Sequence, residues 1–114
     1  GGLAVALSEC CFGPEGSFGL EAGGWECRTD DRSAAAEAAR LFGEDPSRIV
    51  LATAPGDAAR VERLAARERV PIRRVGTVGP RGAAFRLGRG VEVAIETLRE
   101  AWQEAIPRLM ERPR

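Results

Sequence analysis

Hydrophobic residues repeat with helical spacing in four parts of the chain. They predict one helix over residues 1–12, a second over residues 33–42, a third between residues 55–57 and Pro71, and a fourth that Pro107 kinks or restarts. The four apolar stripes are Leu3, Leu7, Cys10 and Cys11; Ala35, Ala38, Ala39 and Phe42; Ala58, Val61, Leu64 and Ala65; and Leu98, Ala101, Trp102, Ala105, Ile106 and Leu109.

Short apolar runs between these helices predict strands. Residues 49–52 form a continuous apolar run, as expected of a strand that is covered on both faces, and residues 72–78 predict the next strand. Because the third helix lies between them, residues 48–78 are predicted to form a β-α-β unit with parallel strands and a right-handed crossover. After a turn at residues 79–82, antiparallel strands are predicted over residues 83–87 and 91–95, joined by Gly88-Arg89-Gly90.

The glycine-rich part of the chain adds weaker signals. Residues 18–22 predict a short or edge strand, which residues 25–31 could continue or pair with. Asp30, Asp31 and Ser33 place hydrogen-bond acceptors and negative charge at the start of the second helix. Together the elements predict an α+β fold, with a mixed, mostly antiparallel sheet and helices packed against it.

The composition removes most self-contained catalytic mechanisms. The 114 residues include 17 basic and 17 acidic side chains, and every basic one is arginine, since the sequence has no lysine and no histidine. The usual general base, Schiff-base amine and imidazole metal ligand are therefore missing. A net charge of zero gives no basic footprint for nucleic acid or an anionic membrane surface.

Three cysteines, Cys10, Cys11 and Cys27, have neither the number nor the spacing of a disulfide scaffold or a zinc site. We expect reduced, half-buried thiols, which favours a cytoplasmic location. The sequence shows no apolar stretch long enough to span a membrane and no signal-peptide pattern. Trp102 is expected in the core, and Trp25 is expected to cover the core or anchor an interface.

Residues 41–48, Leu-Phe-Gly-Glu-Asp-Pro-Ser-Arg, concentrate polar side chains between a helix end and a predicted strand. One interpretation is the edge of a polar pocket. The other is that Gly43 caps the helix and Arg48 forms a surface ion pair with Glu44 or Asp45. Residues 76–79 lack the lysine and the strand-to-helix context of a phosphate loop, so we interpret them as sheet and turn.

Several motifs, taken in their order along the chain, resemble the large (synthetase) subunit of the phosphoribosylformylglycinamidine synthases. Residues 1–9 resemble the end of that family's Asp-Val-Ser-Asp-Gly-Gly-Leu signature and the helix that follows it. Residues 41–48 resemble its Leu-Phe-(Ser/Gly)-Glu-x-x-Ser-Arg segment, and residues 75–79 also fit. A similar terminal pattern is formed by Leu98, Trp102, Pro107 and Met110. The resemblance covers nearly the whole chain.

The resemblance implies the C-terminal domain of an ATP- and magnesium-dependent ligase of purine biosynthesis, with a fold like the C-terminal domain of aminoimidazole ribonucleotide synthetase. In the implied reaction, ATP activates the amide oxygen of formylglycinamide ribonucleotide, and ammonia from a glutaminase partner displaces phosphate to give the amidine. ATP and Mg²⁺ belong to the parent enzyme's N-terminal domains, so neither cofactor is expected in the isolated domain, which should be inactive. The implied partners are the preceding domains of the same chain, the glutaminase subunit and a small bridging subunit.

The resemblance also implies site residues. In the family's first unit, the segment equivalent to residues 44–46 is a Glu-Ser-Gln that contacts the substrate. Here Asp-Pro replaces the Ser-Gln, which fits the second unit's auxiliary, structural role. The residues expected to line a substrate or nucleotide pocket are Gly2, Leu3, Glu44, Ser47 and Arg48. No catalytic or metal-ligating residue is expected.

Residues 1–114 are expected to form a single domain. A helix that begins at residue 1 without its first turn suggests a piece of a longer chain, although a cloning scar could also supply Gly1-Gly2. The alternative function is that of a free-standing, ferredoxin-like ligand-binding or regulatory module. An upstream reading frame encoding Asp-Val-Ser-Asp would favour the synthase domain, whereas a start codon at Gly1 would favour the module.

Overall fold

The computed structural model describes residues 1–23, 33–88 and 90–111. Within these ranges the helices are α1 (Gly2–Glu9), α2 (Ala34–Phe42), α3 (Ala58–Arg67) and α4 (Ile95–Met110), and a 3-10 turn, Pro55–Asp57, precedes α3. The strands are β1 (Phe12–Gly13), β2 (Gly16–Ala22), β3 (Gly76–Arg81), β4 (Ala84–Leu87) and β5 (Val91–Ala94). This content confirms the predicted α+β class.

Strand β2 lies at the centre of the sheet. It pairs antiparallel with β3 and parallel with β4, and its first residues pair with β1. Strand β5 pairs antiparallel with β4, so the sheet is mixed and mostly antiparallel, as predicted. The interpretation of residues 18–22 as an edge strand is wrong. Because Leu20 and Ala22 are buried among core residues, β2 is stabilised as an inner strand that is longer than predicted.

The core joins α1 to the sheet. The predicted stripe of α1 is confirmed at Leu3, Leu7 and Cys11, which are buried, whereas Cys10 is exposed. The helix ends at Glu9 rather than at residue 12, because Phe12 begins β1. The buried core cluster consists of Leu3, Ala4, Leu7, Cys11, Leu20, Ala22, Leu41, Phe85, Leu87 and Ile95. Each buried Leu, Ile or Phe side chain contributes about 1.5–3 kcal/mol of transfer free energy.

Helix α2 has the predicted limits but packs through a different face. The Ser33 hydroxyl caps its start by accepting a hydrogen bond from the Ala36 amide at 3.2 Å. The predicted stripe is wrong, since its four members are exposed and Leu41 is buried instead. Alanine carries little apolar area, so burying the one leucine decides which face packs. Residues 24–32, which include the expected features at Trp25, Cys27, Asp30 and Asp31, lie outside the described residues.

The predicted parallel β-α-β unit over residues 48–78 is wrong. Residues 48–54 and 70–75 are irregular, and the apolar side chains of Ile49 and Leu51 are 88% and 64% exposed. Strand β3 begins only at Gly76 and pairs antiparallel with β2. The physical reason is that a strand needs a paired neighbour for its backbone groups, and the pairing with β2 takes residues 76–81 into the sheet instead. The predicted α3 forms, with Ala65 buried and Leu64 48% exposed.

The predicted turn at residues 79–82 is shorter than expected. Strand β3 continues to Arg81, and Gly82 takes a left-handed conformation with φ of 68°. The two strands beside this turn do not form a hairpin, because β2 lies between them. The predicted hairpin around residues 88–90 is confirmed, and Ile95 belongs to α4 rather than to the last strand.

Helix α4 is buried at its first turn and exposed along its second half. Ile95 is only 1% exposed, whereas Ile106 is 69% and Leu109 is 67% exposed. The helix continues past Pro107 rather than restarting there. The expectation that Trp102 is a core residue is wrong, because this side chain is 54% exposed. Its ring packs against Phe12, with 5.5 Å between the ring centroids.

A buried hydroxyl attaches α4 to the central strand. Ser17, on β2, is 1% exposed and accepts a hydrogen bond from the Arg99 guanidinium at 3.3 Å. Its Oγ also lies 3.5 Å from a carboxylate oxygen of Glu96. None of the described helices has the length and apolar character that crossing a bilayer requires.

Candidate functional site: a cavity between the start of α1 and the loop after α2

A cavity of about 190 Å³ lies where the start of α1 meets the segment that follows α2. Its lining residues are Gly2, Leu3, Ala6, Gly43, Glu44, Asp45, Arg48 and Val50. One wall is the first turn and a half of a helix, and the other is a polar loop. The cavity therefore combines an apolar base with charged groups at its rim.

Close backbone contact between the two helices forms this cavity. Gly2 has φ of 75°, and a Cβ atom built on it would lie 2.6 Å from the Cα and carbonyl carbon of Phe42. A side chain at position 2 would push the helices apart, so glycine allows their approach. Buried Leu41 and the Gly43 amide, which donates to the Ala39 carbonyl at 2.8 Å, fix the end of α2.

Four of the five residues expected at a pocket line this one cavity: Gly2, Leu3, Glu44 and Arg48. Ser47 is not among the lining residues. It has φ of 65°, a left-handed conformation that belongs to the turn at residues 46–47. A ligand-binding role for these residues remains a prediction.

The rim carries charges of both signs. Arg48 forms an ion pair with Asp45, which agrees with the surface ion pair considered from the sequence. Glu44 contacts the backbone nitrogen of Gly1, which brings the loop after α2 against the start of α1. Both carboxylates and the guanidinium are exposed enough to exchange these partners for a polar ligand at low free-energy cost.

The arrangement suits binding better than proton transfer. Arg48 can bind a carboxylate or phosphate oxygen through two N–H groups, while Glu44 and Asp45 can accept from hydroxyl or amine donors. Among the described residues, no cysteine lines the cavity.

Sequence reasoning missed four lining residues, Ala6, Gly43, Asp45 and Val50. Gly43 and Asp45 belong to the quoted polar segment and could have been included with their neighbours. Ala6 follows Gly2 by one helical turn, so helical spacing was an available signal. Val50 gave no signal, because it was assigned to a strand that does not form.

The described part of the chain offers no metal centre. Across residues 1–23, 33–88 and 90–111, no three histidine, cysteine or acidic side chains are grouped so that they could hold a metal ion. Cys10 and Cys11 are free thiols. Burial raises the pKa of Cys11 to about 11, and burial with the nearby Glu9 carboxylate raises the pKa of Cys10. Both are therefore protonated and weakly nucleophilic at neutral pH.

Comparison with curated proteins finds several relatives that match nearly the whole chain and carry the same name. The sequence is 34% identical over 113 residues to the phosphoribosylformylglycinamidine synthase subunit PurL of Anaeromyxobacter sp. (strain Fw109-5), a match that covers 98% of this chain. The chain matches one segment of this synthase subunit. It is 36% identical to PurL of Thermobifida fusca and 34% identical to PurL of Beijerinckia indica, each over 96% of its length.

The match to PurL confirms the resemblance seen in the motifs. The chain spans only 13–14% of the length of these relatives, so the shared region is one part of a much longer subunit. No protein-family model matches the sequence. No solved structure matches it either, so the expected likeness to the C-terminal domain of aminoimidazole ribonucleotide synthetase stays a prediction.

Proposed function

We propose that the chain works as the C-terminal domain of a phosphoribosylformylglycinamidine synthase, the purine-biosynthesis enzyme that converts formylglycinamide ribonucleotide to its amidine. The similarity to PurL over 98% of the chain carries this proposal. The relatives are named as this synthase subunit. An isolated binding module is less well supported, because the similarity extends along almost every element rather than one motif.

Within the synthase, we assign the cavity between α1 and the loop after α2 a binding and positioning role. Arg48 supplies a guanidinium for an anionic group, and Glu44 and Asp45 supply acceptors for its polar substituents. The exposed ion pair between Arg48 and Asp45 holds the guanidinium at the rim of the cavity. The ligand in this proposal is a phosphorylated substrate or nucleotide.

ATP and Mg²⁺ serve the whole enzyme in this proposal and are held by its other domains. The described side chains do not fit a magnesium site, because no suitable group of ligands exists among them. ATP with Mg²⁺ would supply the driving force for forming the carbon-nitrogen bond. This chain supplies shape, contact surface and the cavity, and the chain alone is expected to have no synthase activity.

The proposed partners are the other domains of the synthase chain, a glutaminase that supplies ammonia, and a small bridging subunit. The length of the relatives, about seven times that of this chain, supports the first of these. The proposed location is cytoplasmic, as expected for purine biosynthesis.

A chimera tests the proposal. The matching segment of Thermobifida fusca PurL is replaced by this chain and expressed in a purine-requiring strain that lacks its own PurL. We expect growth without added purine. A control with the segment deleted should not grow, and failure of the well-expressed, folded chimera to support growth would argue against the proposal.

A further inference from the structure

A groove along α3 is lined by three arginines and one leucine. Arg60, Arg63, Leu64 and Arg67 line an open space of about 390 Å³ on the surface of α3, apart from the cavity at α1. Their spacing of i, i+3, i+4 and i+7 places them on one helix face. This face extends for about 10 Å along the helix axis.

The opposite face of α3 is less exposed than its arginine face. Ala65 is buried, and Ala58 and Val61 are partly buried. Leu64 is 48% exposed in the middle of the arginine face. The arginine face is therefore the solvent-facing side of α3.

The positive charge of this region is not balanced locally. Residues 58–74 contain six arginines and two glutamates, although the whole chain has no net charge. Arg67 pairs with Glu68 at 2.8 Å, whereas neither Arg60 nor Arg63 forms an ion pair with any described residue. Two guanidiniums in the groove thus have free hydrogen-bonding capacity.

We propose that the α3 groove, defined by Arg60, Arg63, Leu64 and Arg67, is a docking site for an acidic, partly apolar helix of a partner protein. Carboxylates of the partner would pair with the guanidiniums, and an apolar side chain would cover Leu64. The charge of the groove is complementary to an anionic partner, and guanidinium-carboxylate pairs give such an interface its orientation.

Two features favour a protein helix over nucleic acid or free phosphate. The exposed leucine at the centre of the groove gains from contact with an apolar side chain but not from contact with a phosphate. The described residues that line the groove also include no aromatic side chain on which a base could stack. The helical spacing of the three charges matches carboxylates spaced over two turns of an opposing helix.

Fluorescence anisotropy with a defined probe tests this site. The probe is a fluorescein-labelled helical peptide of about 20 residues, long enough to form a helix, with glutamates three and four residues on either side of a central leucine. We expect saturable binding to the intact chain. The R60Q/R63Q/R67Q variant should bind at least about tenfold more weakly, which is about 1.4 kcal/mol, and Leu64→Ala should also weaken binding.

Arg108→Gln is the matched control, because Arg108 is an exposed helical arginine on α4 that pairs with Glu104. It should leave peptide binding unchanged. The triple variant should keep its helix content, because the substituted side chains are exposed. Circular dichroism checks this. A second peptide with glutamine in place of glutamate should lose most of the binding.

Three results would overturn the proposal. The first is equal peptide affinity for the parent chain and the triple variant, and the second is no saturable binding at millimolar peptide. The third is displacement of the peptide by single-stranded DNA or tripolyphosphate at lower concentration than by unlabelled peptide. None of these measurements uses synthase activity, so their failure is separate from failure of the function proposed above.

Discussion

The backbone of Phe42 approaches Gly2 so closely that a Cβ atom on Gly2 would lie 2.6 Å from the Phe42 Cα. This contact joins the start of α1 to the end of α2, and the cavity lined by Leu3, Glu44 and Arg48 opens beside it. The Gly-Gly-Leu and Leu-Phe-Gly-Glu segments, which are far apart in sequence, therefore meet at one place. The geometry of the cavity depends on the absence of a side chain at position 2.

Gly2→Ala is expected to destabilise the fold by about 3 kcal/mol, because left-handed backbone strain of about 1–2 kcal/mol adds to a steric clash of similar size. Gly82→Ala separates the two effects. Gly82 has φ of 68° but open space around its Cβ position, so this variant should cost only about 1 kcal/mol. Urea denaturation of both variants measures the difference. Equal costs would mean that the approach to Phe42 is not a tight contact.

The Ser17 hydroxyl is expected to stabilise the attachment of α4 to β2. Ser17→Ala removes the hydrogen bond from Arg99 and should lower the free energy of unfolding by about 1 kcal/mol. A double-mutant cycle with Arg99→Met should show coupling of about 0.5 kcal/mol or more. Ser8→Ala is the control, because the Ser8 hydroxyl bonds only to the Val5 carbonyl within α1. Additive effects of Ser17→Ala and Arg99→Met would contradict this attachment.

The buried thiol of Cys11 predicts a loss of stability at alkaline pH. Its pKa is raised by burial from an ordinary value of 9.0 to about 11 in the folded chain. Above pH 9 the unfolded chain releases this proton while the folded chain retains it, so the free energy of unfolding should fall as pH rises toward 11. The fall should be smaller in Cys11→Ala. The same slope in both proteins would show that another group is responsible.

The same burial predicts the order of thiol modification. Cys11 is 0% exposed and its Sγ donates to the Leu7 carbonyl at 3.4 Å, whereas Cys10 is exposed. Maleimide should therefore modify Cys10 well before Cys11 in the native chain, and urea should make Cys11 reactive. Mass spectrometry of peptides locates the label. Early labelling of Cys11 would contradict its buried position.

Arg48→Ala in the synthase chimera tests the role of the cavity. If Arg48 binds an anionic group of the substrate or nucleotide, the rate should fall by more than about tenfold, or roughly 1.4 kcal/mol in the barrier. Arg74→Ala is the control, because Arg74 is exposed, bonds to the Thr77 hydroxyl and does not line the cavity. An unchanged rate for Arg48→Ala would make its pair with Asp45 purely structural.

Hydrophobic and turn patterns correctly predict the helices and strands whose stabilising contacts lie close by in the sequence. The β4–β5 hairpin follows from a two-strand pattern around a glycine turn, and α2 follows from its cap at Ser33 and its end before Gly43. The β-α-β unit was mispredicted because apolar character alone does not choose a partner. The run that contains Ile49 and Leu51 is unpaired and exposed, whereas β3 pairs with the distant β2.

Some of the residues that line the cavity could be predicted from the sequence, because they belong to recognisable motifs. The resemblance selected Gly2, Leu3, Glu44 and Arg48, but no spacing argument says that residues 1–6 and 43–50 are adjacent in space. That adjacency depends on the contact between α1 and α2. The groove on α3 was hidden for a different reason, since a net charge of zero conceals the six arginines of residues 58–74.

The rate of amidine formation by the purified PurL chimera tests the central claim most directly. The assay supplies formylglycinamide ribonucleotide, ATP, Mg²⁺ and ammonia, and compares the chimera with the parent Thermobifida fusca subunit and with the segment-deleted form. If this chain performs the work of the segment that it matches, the chimera should retain at least about a tenth of the parental kcat/KM. A folded chimera no faster than the deleted form would contradict the account.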